Sequence, residues 1–575
     1  MTDDAPHSSA DRVGTLGLAV VLALLFTSVF RRRSYTHIPA AIRIYGDSTG
    51  RPTTERAAAL TRSFPTTRPA LLLTWAFALV LLGGSVYLAP MKSSLLFALV
   101  AISVLSVWLV WHHPELGLLV VSFSTTGLVP RNLFSLPLAG LRLDPADIAV
   151  LGLLAVFVIQ GLQRGRMEFP QWSVSGPLMA FAGFAVFSAL YARFYEGVNL
   201  GLVVGELRPA VYCLGCAIAA MMIARRRQLT ILLAGLFMIA DLTAGAVILE
   251  QFKSVQGILQ LPPNGTWQIN QLGGAGGGFG SVRVVPPGHV LVYLMAIIAF
   301  CLLLGPLQRR GLRVFLALQL AFLSLGLVLT YTRAQWIASG IAVLLVCTFL
   351  PLAAKKKLGR FLLVAVPVVA LAVGLFGAGL LSVGGAVVNR ALVSRFTSLL
   401  APDSTAGTAS LEWRSFEVAA AGRALNEHPL VGVGPGNDYR DVTLLQGEAS
   451  GWLWELGGNS RLTRWVHDSY LYIAVKMGVV AAGVFLWFCL AFLVGGARAY
   501  ASTPYGPAKF IVLAVVCSFA GLLEWAVFEA HFMLPAGMAT VGLMLGIVIA
   551  VASRRLGLED ASGERAVVRQ EALAS

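Results

Sequence analysis

Apolar residues fill most of this chain in long uninterrupted runs, and short polar segments separate each run from the next. Most runs approach the roughly 20 residues that a helix needs to cross the hydrocarbon of a bilayer. The pattern predicts an all-α, polytopic membrane protein with about 13–15 transmembrane helices. The predicted spans lie near 14–30, 70–90, 95–111, 115–130, 145–162, 174–192, 209–224, 229–249, 289–305, 314–331, 335–352, 361–382, 469–494, 511–530 and 536–552.

A long polar stretch, residues 383–466, interrupts this series in the second half of the chain. It predicts one large extracytoplasmic loop that contains short helices, because residues 411–426 have helical spacing and Pro429 with the glycines after it ends that helix. The other predicted segments are an N-terminal helix and basic cytoplasmic segment at 1–69, a transmembrane helical region at 70–382, C-terminal transmembrane helices at 467–552 and a cytoplasmic tail at 553–575.

Charged residues make up 12% of the chain, about half of what a soluble domain contains, and the net charge is +15. The arginines and lysines gather in short runs between the apolar spans, which is typical of cytoplasmic loops. The positive charge therefore indicates membrane orientation and does not indicate a nucleic-acid partner. Alternation of the spans places residues 193–208, 250–288 and 383–466 on the outer face.

The predicted outer loop contains several arginines but no lysine. A guanidinium presents planar, forked donors that match the geometry of phosphate and carboxylate groups. Arg390, Arg395, Arg414 and Arg464 are therefore candidate ligands for an anionic substrate. Surface salt bridges are the alternative, because the acidic residues of the loop nearly balance its arginines.

Two further arginines and a histidine stand where predicted spans begin on the outer face. Arg333 lies in TYTRAQW, and Arg283 precedes the span at 289–305. An ionisable group that faces a cavity at a helix end is a functional candidate, whereas one that reaches the lipid headgroups is structural. His467 begins the helix HDSYLYIAVKMG, where a neutral imidazole can take a proton from a hydroxyl group.

Metal-binding motifs do not stand out in the chain. No H-E-x-x-H occurs, and no carboxylates cluster in a pattern suited to a divalent metal. The six cysteines all lie inside apolar spans, which predicts neither a disulfide framework nor a cysteine metal site. Glu524, Glu529 and His531 lie on or just beyond one late span, and Glu524 is expected to pair with an arginine or to line a cavity. The sequence predicts no metal and no cofactor.

With these residues in place, the sequence resembles the O-antigen ligase and O-antigen polymerase superfamily of bacterial envelope enzymes. The similarity covers about 150 residues, from 331 to 480, and rests on the order and spacing of three motifs. They are Thr332-Arg333 between two spans, Arg414 followed by HPLVGVGPGN at 428–437, and His467 with Tyr470, Leu471 and Gly478. Asp468 replaces the usual Asn or Ser, which we expect to make His467 more basic, and His289 stands where relatives often have Asn.

The resemblance implies an inverting, metal-independent glycosyl transfer on the periplasmic face of a bacterial inner membrane. The donor would be a glycan on undecaprenyl pyrophosphate, and the acceptor a sugar hydroxyl of another glycan or of lipid A core. Arg333 and Arg414 would stabilise the charge that develops on the leaving diphosphate, and His467 would deprotonate the acceptor. Substrate-binding roles would fall to Arg283, Arg390, Arg395, Arg464 and Tyr470.

Two alternatives stay open in the sequence. A ligase would use lipid A core as acceptor and a polymerase another lipid-linked unit, and the HDSYLYIAVKMG stretch is more similar to members that polymerise exopolysaccharide. A transporter of lipid-linked glycans also needs many spans and inward arginines, but it needs no long outer loop that ends in a histidine. Membrane lipids and polysaccharide-assembly proteins complete the expected partners.

Overall fold

The computed structural model describes residues 111, 113–128, 136–138, 141–163, 173–223, 225–250, 268–271, 282–306, 309–361, 363, 405–440 and 463–552. The chain forms two compact units. One comprises Met1–Trp108 with Ala155–Glu168, and its described residues are 155–163. The other comprises Leu109–Leu154 with Phe169–Ser575 and contains all other described residues, including those of the site below.

The described residues form an all-α polytopic membrane protein, as the hydrophobic pattern predicts. Eight of their helices are long and apolar enough to cross a membrane, and three apolar helices are shorter. Helices suit these runs because every backbone group then finds its partner within the segment. The helices are α1 (Pro114–Thr125), α2 (Pro145–Gln163), α3 (Ser175–Phe194), α4 (Leu200–Met221), α5 (Arg226–Glu250), α6 (His289–Leu304), α7 (Arg310–Leu329), α8 (Arg333–Phe349), α9 (Thr405–Glu427), α10 (Ser469–Ser502), α11 (Pro507–Phe528) and α12 (Pro535–Ala552).

Two short antiparallel hairpins accompany the helices. Strands β1 (Leu136–Leu138) and β2 (Leu141–Leu143) pair before α2, and β3 (Gln268–Gln271) and β4 (Val282–Val285) pair before α6. The predicted spans near 14–30, 70–90, 95–111 and 361–382 lie wholly or mostly outside the described residues, so the total number of spans stays a prediction.

One expected outer loop is much shorter than predicted. Residues 193–208 were expected to connect two spans, but α4 already begins at Leu200. The Asn199 side chain accepts a hydrogen bond from the Gly201 amide at 2.8 Å and caps the helix. The first turns of α4 contain the charged Arg208, which lowers their hydropathy, but its guanidinium is 2.9 Å from the Asp147 carboxylate. This ion pair compensates the charge of Arg208 within the helical segment.

Contacts between helices show which of the helix ends lie on the same side of the bundle. At one end, which we call the site end, the Ser469 hydroxyl at the start of α10 donates to the Glu529 carbonyl just after α11, at 2.9 Å. At the other end, which we call the basic end, the Lys357 ammonium donates to the Gly305 carbonyl just after α6, at 2.8 Å. The described basic runs at the basic end are 225–227, 309–313 and 355–360.

The centre of the bundle is α6, which packs against α11 and is buried along nearly its whole length. The Tyr293 hydroxyl of α6 donates to the Ser518 carbonyl of α11 at 2.9 Å. A Cβ at Gly521 would overlap the Ala338 carbonyl, so the backbones of α11 and α8 approach each other directly. Helix α8 is thereby held along α11.

Helix α10 is broken near the site end, at Gly478. This residue has φ 87° and ψ 167°, a conformation that only glycine adopts readily. A Cβ there would overlap the Leu430 carbonyl. The break therefore lets the segment after α9 come against the backbone of α10.

That segment satisfies the backbone groups that the break leaves open. The Val433 amide donates to the Val475 carbonyl at 2.8 Å, and the Gly434 amide donates to the Lys476 carbonyl at 3.1 Å. In the other direction, the Val479 amide donates to the Pro429 carbonyl at 2.9 Å. A helix break at membrane depth is tolerated where other protein groups complete its hydrogen bonds.

Candidate active site

Helix α9 places two charged side chains near the start of α10. The predicted helix at 411–426 is confirmed, with observed bounds of Thr405–Glu427. Arg414 is half-buried, and Glu417, one turn later on the same helix, is buried. Side chains three residues apart lie on one face of a helix, so both point towards the same region.

The Glu417 carboxylate holds the ring of His467. The His467 Nδ1 atom lies 2.9 Å from Glu417 Oε2 and 3.0 Å from Oε1. The backbone amide of His467 also donates to Oε2, at 3.3 Å. Ring and backbone therefore contact one carboxylate, which fixes the histidine at the entry to α10.

The two side chains of this contact differ in their exposure to solvent. The Glu417 side chain is 3% exposed, whereas that of His467 is 41% exposed. A buried carboxylate is unfavourable unless charged or hydrogen-bonding groups surround it. Arg440 supplies a second cation, with Nη2 at 3.7 Å from Glu417 Oε1. Burial lowers the pKa of the Arg440 guanidinium, while the neighbouring Tyr439 and Glu417 raise it.

The contact determines which nitrogen of His467 is available. A carboxylate only accepts hydrogen bonds, so Nδ1 carries the proton towards Glu417. The Nε2 atom then bears the lone pair, on a ring whose other edge is partly exposed. An imidazole in this tautomer, held by a carboxylate, is chemically able to accept a proton at the nitrogen that points away from its support.

A narrow neck brings the two ends of the segment between Arg440 and Thr463 together. The Tyr439 amide donates to the Thr463 carbonyl at 3.0 Å, and the Tyr439 hydroxyl donates to the Trp465 carbonyl at 3.1 Å. Arg464, a predicted substrate ligand, donates from Nε to Asp438 Oδ1 at 3.0 Å across this neck. The neck sets the position of His467, two residues beyond Trp465.

The glycine-rich turn between α9 and the neck is fixed from two sides. Gly432, Gly434 and Gly436 all have positive φ, so non-glycine residues would be strained there. The Gly436 amide donates to Glu206 Oε2 of α4 at 2.8 Å. The fully buried Lys476 of α10 lies 3.3 Å from the same carboxylate oxygen. The turn thus joins α4 to α10 beneath the neck.

Arg414 lies at the entrance of α10, close to the end of α11. Its guanidinium carbon is 5.6 Å from the centre of the Phe528 ring, within the range of a cation–π contact. Its positive charge also opposes the rise that burial causes in the pKa of Asp468, the residue after His467. The predicted pair of Arg414 and His467 is therefore brought to one small region.

Asp468, the residue after His467, caps helix α10. Its Oδ1 atom accepts hydrogen bonds from the amides of Tyr470 at 2.8 Å and Leu471 at 3.0 Å, and so caps α10. Burial raises the pKa of the Asp468 carboxyl, and these hydrogen bonds and the charge of Arg414 oppose the shift. The carboxylate on the ring is that of Glu417.

Arg333 is the first residue of α8 and is half-buried at the site end. A sharp turn precedes it, in which Tyr331 adopts φ 53° and the Thr330 hydroxyl donates to Gln335 Oε1 at 2.8 Å. Helix α8 runs antiparallel to α11, because its end lies near the basic end, where the Tyr500 hydroxyl donates to the Phe349 carbonyl. Arg333 therefore lies at the end where α11 finishes beside Arg414.

The structure describes two of the four remaining predicted substrate ligands, Tyr470 and Arg283. The Tyr470 hydroxyl donates to the Leu523 carbonyl at 2.8 Å, which ties α10 to α11. Arg283 lies in β4 opposite Asn270. Arg390 and Arg395 lie outside the described residues, and their predicted roles stay predictions.

Sequence reasoning missed Glu417 and Arg440. Glu417 is 50 positions from His467, and nothing in its neighbourhood distinguishes it from the other acids of the predicted loop. One signal was available, since Glu417 follows Arg414 by one helical turn on the helix whose spacing was recognised. Arg440 gave no comparable signal.

The fold and the site define a multi-pass, all-α membrane protein that presents a carboxylate-held histidine and nearby arginines at one end of its helices. Residues 318–486 match the family model described as O-antigen ligase, and this range contains Arg333, Arg414 and His467. The match supports the O-antigen ligase and polymerase superfamily, so the resemblance seen in the motifs is confirmed. At the family level this implies a glycan transferase that uses a lipid-linked glycan and a glycan acceptor. No curated protein matches the chain.

Proposed function

We propose that this protein transfers a glycan from undecaprenyl pyrophosphate to a sugar hydroxyl, with inversion at the anomeric carbon. The observation that supports this most is the His467–Glu417 pair, because it leaves a lone pair on a half-exposed imidazole beside Arg414. Glycosyl transfer to an alcohol needs a base at this point, and translocation of a lipid-linked glycan does not.

In the proposed reaction, Nε2 of His467 accepts the proton of the acceptor hydroxyl. The acceptor oxygen forms a bond to the anomeric carbon of the donor, and the bond from that carbon to the diphosphate oxygen breaks. Glu417 holds the ring in the required tautomer and balances the positive charge that the imidazole gains. The departing diphosphate takes the electron pair of the broken bond.

The diphosphate needs cations because its negative charge grows as the bond breaks. Arg414 and Arg333 are the proposed source, since both are half-buried at the site end. Forked guanidinium donors can contact two phosphate oxygens at once. A partly dry setting strengthens this interaction relative to bulk water. No metal is required in this step.

The orientation proposed for the protein follows from its basic end. The described basic runs lie opposite His467, and basic residues are retained on the cytoplasmic side. The site would therefore face the periplasm of the bacterial inner membrane. We favour a polymerase over a ligase on the similarity of the residues from His467 to Gly478, so the acceptor would be another lipid-linked repeat unit.

The test is glycan profiling of a deletion strain of the source bacterium that carries either wild-type protein or a variant. Loss of polymer with accumulation of single lipid-linked units in the deletion strain is the expected result. Accumulation of long lipid-linked polymer without capped lipopolysaccharide would instead identify a ligase.

The variants separate catalysis from transport. His467→Ala is expected to accumulate in the membrane without restoring the polymer. His113→Ala is the matched control, because His113 is an exposed histidine just before α1, outside the motifs at 331–480, and should restore the polymer. Normal glycan with His467→Ala would refute the catalytic role and favour a transporter of lipid-linked glycans.

A further inference from the structure

A second histidine–carboxylate cluster lies at the site end, apart from His467. It consists of His289 at the start of α6, Glu529 just after α11, and His531 in the 3₁₀ turn His531–Met533. The His531 Nε2 atom is 3.1 Å from Glu529 Oε2, and the His289 Nε2 atom is 3.9 Å from the same oxygen. One ligand atom of each residue lies within 4.8 Å of the others.

The cluster is enclosed. The side chains of His289 and His531 are 3% and 1% exposed, and that of Glu529 is 19% exposed. The Trp525 ring packs edge-on against both imidazoles, at centroid distances of 4.9 Å and 4.1 Å. Within the described part of the chain, neither ring nitrogen of His531 makes a hydrogen bond of normal geometry, although Nε2 is close to Glu529. A buried imidazole without such a bond is unfavourable and calls for an explanation.

The backbone determines the tautomer of His289. Its Nδ1 atom is hydrogen-bonded to the Pro286 carbonyl, which can only accept. Nδ1 therefore carries the proton, and the lone pair on Nε2 points towards Glu529. Histidines that bind metals are oriented in this way, with the second ring nitrogen donating to a carbonyl or carboxylate.

We propose that His289, Glu529 and His531 bind a divalent transition-metal ion, for which zinc is the best fit. Two imidazole nitrogens and one carboxylate oxygen are a known zinc ligand set, and a fourth position stays open to water or another ligand. Ligand atoms about 2.0–2.1 Å from a tetrahedral ion lie about 3.3–3.4 Å apart. The two measured separations, 3.1 and 3.9 Å, bracket that value.

Such an ion would stabilise the entrance of the proposed active site. It would join the start of α6 to the segment between α11 and α12. The Glu529 carbonyl accepts from the Ser469 hydroxyl at 2.9 Å, and that hydroxyl accepts from the Phe532 amide at 3.3 Å. Ser469 is two residues from His467, so the ion would hold the helix entry on which the base is mounted. This role is structural and does not rest on the proposed transfer reaction.

The experiment measures metal directly in the full-length protein, purified in detergent with its affinity tag removed. The protein is stripped with a chelator, dialysed and titrated with zinc chloride in a calorimeter, and its metal content is measured by elemental analysis. We expect one zinc ion per chain, and the d–d absorption of a tetrahedral site after cobalt substitution. Wild-type protein that binds no stoichiometric zinc would overturn the proposal.

Variants assign the ligands. Glu529→Gln keeps the size of the side chain, and His531→Ala removes one imidazole; each is expected to weaken zinc binding at least 10-fold, since even outer-shell changes weaken metal sites 10–100-fold. His428→Ala, in an exposed histidine elsewhere, should bind zinc as the wild type does. Size-exclusion profiles establish that each variant is folded, and Glu529→Gln suffices if His531→Ala is not. Undiminished zinc binding by a folded Glu529→Gln protein would overturn the proposed assignment of the zinc site.

Discussion

His467 and His289 each face a glutamate at the same end of the helices, but their surroundings differ. The His467 side chain is 41% exposed beside a buried carboxylate. The His289 side chain is 3% exposed beside a carboxylate that is 19% exposed. In the first pair, the imidazole keeps one edge open, so a proton can come and go. In the second pair, the ring of Trp525 packs against His289, whose side chain is almost completely buried.

The comparison shows that residue types alone do not determine the chemistry of such a pair. A half-exposed ring with a buried partner suits proton transfer, because the partner sets the tautomer while substrate reaches the free nitrogen. Buried rings that converge on one oxygen suit a fixed cation. We therefore expect variants of the His467 cluster to affect turnover and variants of the His289 cluster to affect metal binding.

The largest expected effect is that of His467→Ala on transfer. A general base contributes typically 100- to 10,000-fold to rate, so we expect turnover to fall by that order. Transfer is measured with purified protein and lipid-linked substrate, with His531→Ala as the comparison. If a folded His531→Ala protein lost as much activity as the His467→Ala protein, the two clusters would not be functionally distinct.

Chelation should affect stability through the second cluster alone. An ion present at 100 times its Kd stabilises the folded state by about 2.7 kcal/mol, so a chelator should lower the Tm of the wild-type protein measurably. The Tm of Glu529→Gln should not respond to the chelator, whereas that of Glu417→Gln should fall as in the wild type. If the chelator lowered the Tm of Glu529→Gln as much as that of the wild type, the cluster would not be the source of the chelator's effect.

Glu417→Gln should impair turnover without removing the base. The amide oxygen of the substituted side chain could still accept from Nδ1 of His467, but a hydrogen bond to a neutral acceptor is about 1 kcal/mol weaker than one to a carboxylate, which corresponds to roughly tenfold or less in rate. We expect kcat to fall while KM for the donor changes little. The double variant Glu417→Gln/His467→Ala should be no slower than His467→Ala, and additive losses would contradict a shared role.

Arg333→Lys should be poorly tolerated although it preserves the charge. A lysine replaces the guanidinium fork by a point charge, so we expect about a tenfold loss in kcat/KM from the loss of bidentate contact. Arg313→Lys, a change to an exposed arginine at the basic end, is the control. Near-normal transfer by Arg333→Lys would exclude forked recognition of the diphosphate.

Asp468→Asn should have the smallest effect. Asparagine caps a helix as well as aspartate, and Glu417 rather than Asp468 contacts the ring, so we expect transfer within about twofold of wild type. Burial raises the pKa of the Asp468 carboxyl, which means that the folded state disfavours its charged form. As pH rises from the ordinary carboxyl pKa through the raised one, the wild type should lose stability relative to the variant. Thermal unfolding across that range tests the sign.

Several parts of the site could be predicted because they depend on local features of the sequence. The helical spacing near Arg414 predicts α9, and the apolar run after His467 predicts α10, which begins at Ser469. The start of α4 was not predicted, because Arg208 made a helical stretch look like a loop. Its charge is compensated by Asp147, far earlier in the chain, and no local pattern shows that ion pair.

The sequence by itself determined that the chain is a helical membrane protein, where most of its described spans lie and which superfamily its motifs resemble. These properties follow from hydrophobic runs and residue spacing, which are local and persist in any packing. Only the tertiary structure decided that Glu417, and not Asp468, holds His467, and that His289 meets Glu529 and His531. These contacts depend on which helix ends meet and how their side chains turn. That information is distributed over the whole packed bundle.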